Sequence, residues 1–174
     1  PSLPAVGPAA AAQRGEAAVV EMAGLRLAFS TDSVGVQPMF FPGGSIGHLA
    51  VNGTVNDLAM VGAVPIVLST AFILEEGTPL AVLGKVAQDV GEAAMTAGVK
   101  LVTGDTKVVD HGSGEGAFIH TSGVGAIPHG IDIRPQPLLA GDEAIITARS
   151  AVAGAAVTSP PQRGGLRRVV TGGC

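Results

Sequence analysis

Three short polar clusters interrupt an otherwise apolar sequence, and their residue types suit the binding of a metal ion and phosphate. The clusters are Ser-Thr-Asp-Ser at 30–33, the segment 51–60 with its Asn-Asp pair at 56–57, and Thr-Gly-Asp-Thr-Lys at 103–107. Carboxylates that are distant in sequence but converge in space provide the hard oxygen ligands that Mg²⁺ prefers, and they leave positions for water and phosphate oxygens. The residue types therefore predict a magnesium and phosphate site if the fold brings the clusters together.

The individual residues suggest separate roles within such a site. Three aspartates are the candidate metal ligands: Asp32, Asp57 and Asp105. Asp57 falls inside an apolar helical segment, where a carboxylate is costly unless it is paired or metal-bound. In the third cluster Gly104 lets the backbone approach a ligand closely. Thr106 can donate a hydrogen bond to a phosphate, and Lys107 supplies a point charge for it.

A purely structural interpretation remains open for each cluster taken alone. In it, Asp32 ends a strand by hydrogen-bonding the following turn, and Asp57 lies on the solvent side of its helix. Asp105 and Thr106 then form an ordinary Asx-type turn, and Lys107 is a solvated side chain. The four histidines share no metal-ligand spacing, and of these only His111, which follows the third cluster, is a candidate to face the site.

The hydrophobic pattern predicts an α+β domain in which two helices cover one face of a mixed sheet. A hairpin is predicted for 17–22 and 25–30, around an Ala-Gly turn, and its second strand ends at Thr31-Asp32-Ser33. Helices are predicted for about 45–61, where Ser45 can cap the first turn, and for 75–99, where Glu75 and Glu76 would meet the helix dipole. Further strands are predicted at these segments: 63–74, 100–109 with its polar loop, 116–127 and a last short one within 134–148.

Composition and charge narrow the class of protein. The chain has 174 residues, 47% of them apolar and 14% charged, which suits one domain with an appendage. A net charge of −4 gives no electrostatic footprint for nucleic acid, and no apolar run has the length of a membrane helix. The single cysteine, Cys174, permits no internal disulfide and indicates a cytoplasmic protein.

We expect a disordered leader at 1–16, a domain at 17–147 and a flexible tail at 148–174.

Four segments in order carry a resemblance to a known family. They are Phe-Phe-Pro-Gly-Gly at 40–44, Gly-Thr-Val-Asn-Asp-Leu-Ala-Met at 53–60, Phe-Ile-Leu-Glu-Glu-Gly at 72–77 and Gly-Asp-Thr-Lys-Val-Val at 104–109. From about residue 17 to 147 the sequence resembles the HypE hydrogenase maturation proteins. These are relatives of aminoimidazole ribonucleotide synthetase (PurM), selenophosphate synthetase and thiamine-monophosphate kinase.

The resemblance implies a fold and a nucleotide site. It implies a PurM N-terminal-like domain that dimerises through its sheet and binds ATP with Mg²⁺ in a cleft near the dimer interface. By the family motifs Asp32, Asp57 and Asp105 would be metal and phosphate ligands. Asn56 would support them, Gly104 would lie at the nucleotide, and Thr106 and Lys107 would contact phosphate or substrate.

The resemblance also implies a reaction and partners. HypE proteins use ATP to dehydrate a thiocarboxamide on their own C-terminal cysteine to a thiocyanate, the source of the cyanide ligand of nickel–iron hydrogenase. The carbamoyltransferase HypF supplies the carbamoyl group, and the HypC–HypD complex receives the cyanide. Cys174 would be the acceptor here, with Lys107 assisting phosphoryl transfer.

The sequence departs from the family pattern in three places. The family's glycine-rich N-terminal segment is not visible, the resemblance ends near Thr147 before a second domain, and the chain ends in Thr-Gly-Gly-Cys rather than a Pro-Arg-Ile-Cys type motif. Cys174 is therefore either the acceptor or a chance cysteine in an unrelated tail. Two alternatives to a dehydratase stay open: a non-catalytic fragment that keeps the dimerisation and partner-binding domain, and an ATP-using small-molecule kinase or synthetase of the same superfamily.

Overall fold

A computed structural model describes residues 15–113 and 116–133 and confirms the α+β class. The elements in chain order are β1 (Ala18–Met22), β2 (Leu25–Val34), β3 (Phe40–Phe41), β4 (Gly44–Ser45), α1 (Ile46–Met60), β5 (Val64–Glu75), α2 (Leu80–Thr96), β6 (Lys100–Val109) and β7 (Ala117–Ala126). The strand predicted within 134–148, most of the leader, the tail and Cys174 lie outside the described residues.

Within the described ranges, five strands form a mixed sheet in the order β1-β2-β7-β5-β6. β5 and β6 are parallel and the other pairs are antiparallel. The predicted Ala-Gly turn joins β1 to β2, and both Ala23 (φ 50°) and Gly24 (φ 77°) adopt the left-handed conformation that two-residue hairpins of this kind require. β3 and β4 pair separately, just before α1.

Both helices cover the same side of the sheet, which we call the helix face. Alternate residues of β7 are buried there, from Ala117 to Gly125. The core between helices and sheet includes these residues: Ile46, Val51, Leu68, Val86, Val90 and Ile119. Fully burying one such aliphatic side chain stabilises the fold by about 1.5–3 kcal/mol. A Cβ on Gly47 would lie 2.8 Å from the Val86 carbonyl oxygen, so α1 and α2 are in backbone contact there.

The opposite side of the sheet, the outer face, is open to solvent within the described part of the chain. Large apolar side chains of the β1–β2 hairpin are exposed on it: Val20, Met22, Leu25 and Phe29. Residues that pair across neighbouring strands point to the same side of a sheet. The register therefore assigns Thr31, Ser33 and His120 to the outer face, and Asp32 to the helix face with Thr121.

Two strands continue through polar residues that were expected to end or interrupt them. β2 extends to Val34, so Asp32 lies within the strand, and β6 is continuous through Gly104-Asp105-Thr106-Lys107. The polar residues of β6 are tolerated because it is an edge strand and Lys100–Val108 are all exposed. The prediction of a polar loop within this segment is therefore wrong.

Two predictions about helix ends are also corrected. Ser45 occupies the N-cap position of α1, but its hydroxyl makes no cap hydrogen bond and instead lies 3.0 Å from His48 Nδ1. α2 begins at Leu80 after Pro79 and has no acidic residue in its first turn, so Glu75 and Glu76 do not interact with its dipole as expected. Glu75 is the last residue of β5. Neither helix of the described ranges combines the length and apolar character needed to span a bilayer.

Candidate functional site

Asp32 and α1 meet on the helix face. Asp32 is half-buried, and its Oδ2 lies so close to α1 that a Cβ on Gly53 would collide with it. Its Oδ1 accepts a hydrogen bond of 2.7 Å from the backbone N–H of Ser33. Gly53 is therefore needed because a carboxylate occupies the space that a side chain would take.

The second cluster adjoins Asp32 one helical turn further along. Gly53 and Asp57 are four residues apart, so they share one side of α1. Ser30, two residues before Asp32 on the same strand face, donates a hydrogen bond of 2.8 Å from its hydroxyl to Asp57 Oδ2. The fold thus brings Asp32 and Asp57 together, and the half-buried Asp57 does not lie on the solvent side of its helix. Asn56 is exposed, about 100° further round the helix.

The third cluster lies elsewhere. Asp105 pairs with Ala71 of β5, and Ala71 pairs with His120 of β7, so Asp105 points to the outer face. Lys107 shares that face, whereas Thr106 pairs with Phe72, which packs against the core on the helix face. Asp105 Oδ1 accepts a hydrogen bond of 2.8 Å from the Thr106 N–H, the same local arrangement as in Asp32 and Ser33.

Close packing against β5 explains why residue 104 is a glycine. A Cβ at this position would collide with the carbonyl oxygen of Thr70 on the neighbouring strand. The β5–β6 register shifts by one residue just before this point, between Leu68 and Ser69, which leaves Val102 as the extra residue of a bulge. The tight approach of the two strands therefore accounts for glycine here, independently of any ligand.

Within one chain, the three candidate metal ligands do not form one cluster. Asp32 lies in β2 on the helix face, and Asp105 lies in β6 on the outer face, with two strands between them; three strand spacings correspond to about 14 Å. Across residues 15–113 and 116–133, no three His, Cys, Asp or Glu side chains are placed to hold a metal ion together. Asp32 and Asp57 lie at the same junction of β2 and α1 and carry oxygen atoms of the kind that Mg²⁺ binds, and Asp105 is not a third ligand from the same chain.

A hydroxyl and imidazole cluster on the outer face was not expected from the sequence. His120 Nδ1 lies 2.7 Å from Ser33 Oγ, and His120 Nε2 lies 2.9 Å from Thr31 Oγ1. The Thr31 hydroxyl also lies 3.1 Å from Ser122 Oγ. Alternation along β2 and β7 would have put these side chains on one face, but the register between the two strands is not visible in either strand alone.

His111, the histidine expected near the third cluster, lies beyond the end of β6. Its side chain is 85% exposed, and its Nδ1 lies 3.3 Å from Glu75 Oε1. The Glu75 carboxylate also accepts backbone hydrogen bonds from Gly112 and Gly116, and these hydrogen bonds hold the pKa of Glu75 below its ordinary value despite partial desolvation. Glu75 is thus a polar centre that the helix-dipole interpretation had missed.

The sequence places the chain in a known family. Residues 14–127 match the family model "AIR synthase related protein, N-terminal domain". The chain is 50% identical over 136 residues to the carbamoyl dehydratase HypE of Rhizobium leguminosarum bv. viciae, covering 78% of this chain and 39% of that relative. The chain therefore spans about two fifths of the length of this curated relative.

Solved structures of similar proteins share the fold. A HypE structure in complex with ATP superimposes with a TM-score of 0.59 at 50% identity, covering 71% of this chain and 36% of that chain. The HypE–HypF complex gives a TM-score of 0.63 at 51% identity, covering 68% of this chain and 38% of that chain. In each case the similarity concerns one portion of a longer protein.

Proposed function

Because the chain belongs to the AIR synthase related family through its N-terminal domain, we propose that it forms the nucleotide-binding part of a HypE-type carbamoyl dehydratase. The reaction would be the ATP-dependent dehydration of a cysteine thiocarboxamide to a thiocyanate in nickel–iron hydrogenase maturation. The 50% sequence identity to a carbamoyl dehydratase supports this class of reaction, and the similarity to a HypE structure in complex with ATP supports ATP as the nucleotide.

The observation that carries the proposal is the pairing of Asp32 with Asp57 at the junction of β2 and α1. Ser30 holds Asp57 by a hydrogen bond, and the absence of a side chain at Gly53 leaves room for the Asp32 carboxylate. Neither a turn nor a helix surface requires two carboxylates at one junction. A magnesium ion bound with ATP would take oxygen ligands from both side chains and would leave positions for phosphate oxygens.

The chemistry needs a leaving group that an amide oxygen does not provide. ATP supplies a phosphoryl group to that oxygen, so that Cys–S–C(=O)–NH₂ and ATP give Cys–S–C≡N, ADP and phosphate. Lys107 offers a cationic group for the transferring phosphoryl group, and Thr106 offers a hydroxyl donor. Cys174, outside the described residues, is the proposed acceptor, and Asn56 and Gly104 are proposed to line the nucleotide site.

The separation of Asp105 and Lys107 from Asp32 favours a site completed by a second copy of the chain. The outer face carries Asp105, Lys107 and the exposed apolar side chains Val20, Met22 and Phe29. An apolar patch of this kind marks an association surface. We therefore propose a homodimer formed through the sheet, with ATP near its interface, and a monomer in sedimentation at micromolar concentration would contradict it.

The proposed partners and location are those of HypE proteins. The similarity to the protein in the HypE–HypF complex supports a carbamoyltransferase of the HypF type as one partner. The HypC–HypD complex would receive the cyanide, and these reactions would take place in the cytoplasm.

Calorimetric titration with Mg-ATP tests the nucleotide site. The wild-type chain should bind, and Asp105→Asn should lose binding by at least about tenfold, since removal of a metal or phosphate ligand commonly has effects of that size. Asp110→Asn is a matched control, because Asp110 is also exposed and lies just beyond β6. A folded wild-type chain that does not bind Mg-ATP would contradict the proposal.

That outcome would favour the second candidate, a non-catalytic domain that keeps the dimerisation surface. The exposed apolar side chains of the β1–β2 hairpin are the observation in its favour, because they need no nucleotide to bury them. Persistent dimerisation without ATP binding would identify it.

A further inference from the structure

The Phe-Ile-Leu-Glu-Glu-Gly segment at 72–77 makes hydrogen bonds that the nucleotide site does not explain. Its first glutamate, Glu75, ends β5, and its side chain is only 12% exposed. The Glu75 carboxylate accepts hydrogen bonds from two backbone N–H groups, that of Gly112 at Oε1 and that of Gly116 at Oε2, the latter at 3.1 Å. Both donors lie in the connection from β6 to β7.

Backbone hydrogen bonds also join the end of β5 to the end of β6 and to the residue just before β7. The Glu75 N–H donates to the Gly116 carbonyl at 2.9 Å, and the Glu76 N–H donates to the Val109 carbonyl at 2.9 Å. The Thr78 hydroxyl donates to the Glu75 carbonyl at 2.7 Å. The end of β5 is thus bonded to the exit of β6 and to the entrance of β7, and the Glu75 carboxylate closes the connection between them.

Apart from its pairing with β5, β6 has few contacts that hold it. Among the described residues it is an edge strand with β5 as its one neighbour in the sheet, and every residue from Lys100 to Val108 is exposed. Residues at such an edge open more easily than those of central strands, because few apolar contacts retain them. The polar side chains with proposed roles, Asp105 and Lys107, lie only a few residues before the end that Glu75 holds.

We propose that Glu75 is a positioning residue that fixes the exit of β6 and thereby orients Lys107 toward Mg-ATP. The role in nucleotide binding rests on the proposed function, whereas the anchoring of β6 does not. Charge-assisted hydrogen bonds from N–H groups to a carboxylate are stronger than neutral ones. A glutamine at this position keeps the shape but removes the charge and replaces one acceptor by a donor, so it cannot accept one N–H group at each terminal atom as the carboxylate does.

Glu75→Gln and Glu76→Gln form a matched pair for the test. Both remove one negative charge from adjacent residues, but the Glu76 side chain is exposed and its backbone hydrogen bond to Val109 is kept. Amide hydrogen exchange measured without ATP should be faster at Gly112, Gly116 and the last residues of β6 in Glu75→Gln, by about tenfold. Glu76→Gln should exchange as the wild type does. Equal exchange in the two variants would overturn the anchoring.

Mg-ATP titration tests the positioning. Glu75→Gln should bind several-fold more weakly than Glu76→Gln, and the difference should disappear when Lys107→Ala is combined with each, because the side chain being oriented is then missing. If Glu75→Gln weakens Mg-ATP binding by the same factor with and without Lys107→Ala, Glu75 acts only by stabilising the structure. That result would overturn the positioning role. If the wild type does not bind Mg-ATP, the nucleotide part fails together with the proposed function. The exchange data still decide whether Glu75 holds β6.

Discussion

The Ser30 hydroxyl of β2 donates a hydrogen bond of 2.8 Å to Asp57 Oδ2 of α1 and so joins two polar clusters that are 27 residues apart in sequence. Asp32, two residues after Ser30, places its own carboxylate against Gly53 on the same helix. The strand and the helix therefore present two carboxylates at one junction. This arrangement supports the proposed metal site over two separate turn-forming aspartates.

Replacing Asp57 by asparagine should remove the Mg²⁺ dependence of ATP binding. The amide keeps the shape of the side chain and can still accept from Ser30, so the fold should persist, but the charge that attracts the metal ion is lost. We expect the affinity for ATP in the presence of Mg²⁺ to fall by at least about tenfold. Calorimetric titration with Mg²⁺ and with EDTA measures the difference, and an unchanged Mg²⁺ effect in Asp57→Asn would exclude this residue as a ligand.

Gly53→Ala should disturb the site through Asp32. The new methyl group would occupy the position of Asp32 Oδ2, so the carboxylate must rotate away, and Mg-ATP binding should weaken. Gly84→Ala in α2 is the control, because a Cβ there meets no atom within 4 Å. The control should gain about 0.5–1 kcal/mol in unfolding free energy from helix propensity and should bind normally. Urea unfolding and titration of both variants decide the matter, and normal binding by Gly53→Ala would be evidence against a role for Asp32.

Asp89 should stabilise the contact between α1 and α2 in a pH-dependent way. Its side chain is 3% exposed and lies 2.5 Å from Lys85 Nζ. Burial raises the pKa of Asp89. Hydrogen bonds from Lys85 and Ser45 and the charges of Lys85 and His48 lower it by more, so the pKa of Asp89 lies below its ordinary value of 3.8. A carboxyl group with a lowered folded-state pKa contributes stability that is present above the unfolded pKa and is lost as the pH falls through the folded pKa.

Asp89→Asn should therefore lower the free energy of unfolding at pH 7 by about 1–3 kcal/mol. The difference from the wild type should shrink as the pH falls below about 3.8. Urea unfolding at a series of pH values gives this difference directly. Gln88→Ala, one position away on the exposed side of α2, should show no such pH dependence. A difference that is constant from pH 7 to pH 3 would argue that Asp89 acts by packing alone.

Thr70 and Thr121 are paired in the β5–β7 register and should respond oppositely to valine. Thr70 Oγ1 is the one buried side-chain oxygen or nitrogen of the described ranges that lacks a hydrogen-bond partner. Thr121 Oγ1 donates to the Ala50 carbonyl at 2.9 Å and lies 2.7 Å from Thr54 Oγ1.

Thr70→Val should raise the free energy of unfolding by up to about 1 kcal/mol, and Thr121→Val should lower it by about 1–3 kcal/mol, since it leaves buried partners unpaired. Thermal or urea unfolding of the two variants provides the comparison. Equal destabilisation by both would mean that the Thr70 hydroxyl has a partner in solution.

The sequence by itself was sufficient for the local elements and for the family. Periodic apolar residues predicted α1 and α2, although the start of α2 was predicted five residues too early, at 75 instead of Leu80, and apolar runs predicted the long strands, because these features depend on neighbours within a few residues. The order of the polar clusters was sufficient for the resemblance to HypE proteins.

Only the tertiary structure decided which polar residues meet. Strand register and strand order depend on pairing between distant segments, so the sequence did not reveal that Asp32 and Asp57 share a junction while Asp105 points to the opposite face. The edge position of β6 explains why a strand can continue through Gly-Asp-Thr-Lys, and the return of the β6–β7 connection explains why Glu75 meets Gly112 and Gly116 instead of a helix dipole. Each of these outcomes depends on contacts between distant segments, and the spacing of residues along the chain does not determine which segments pair.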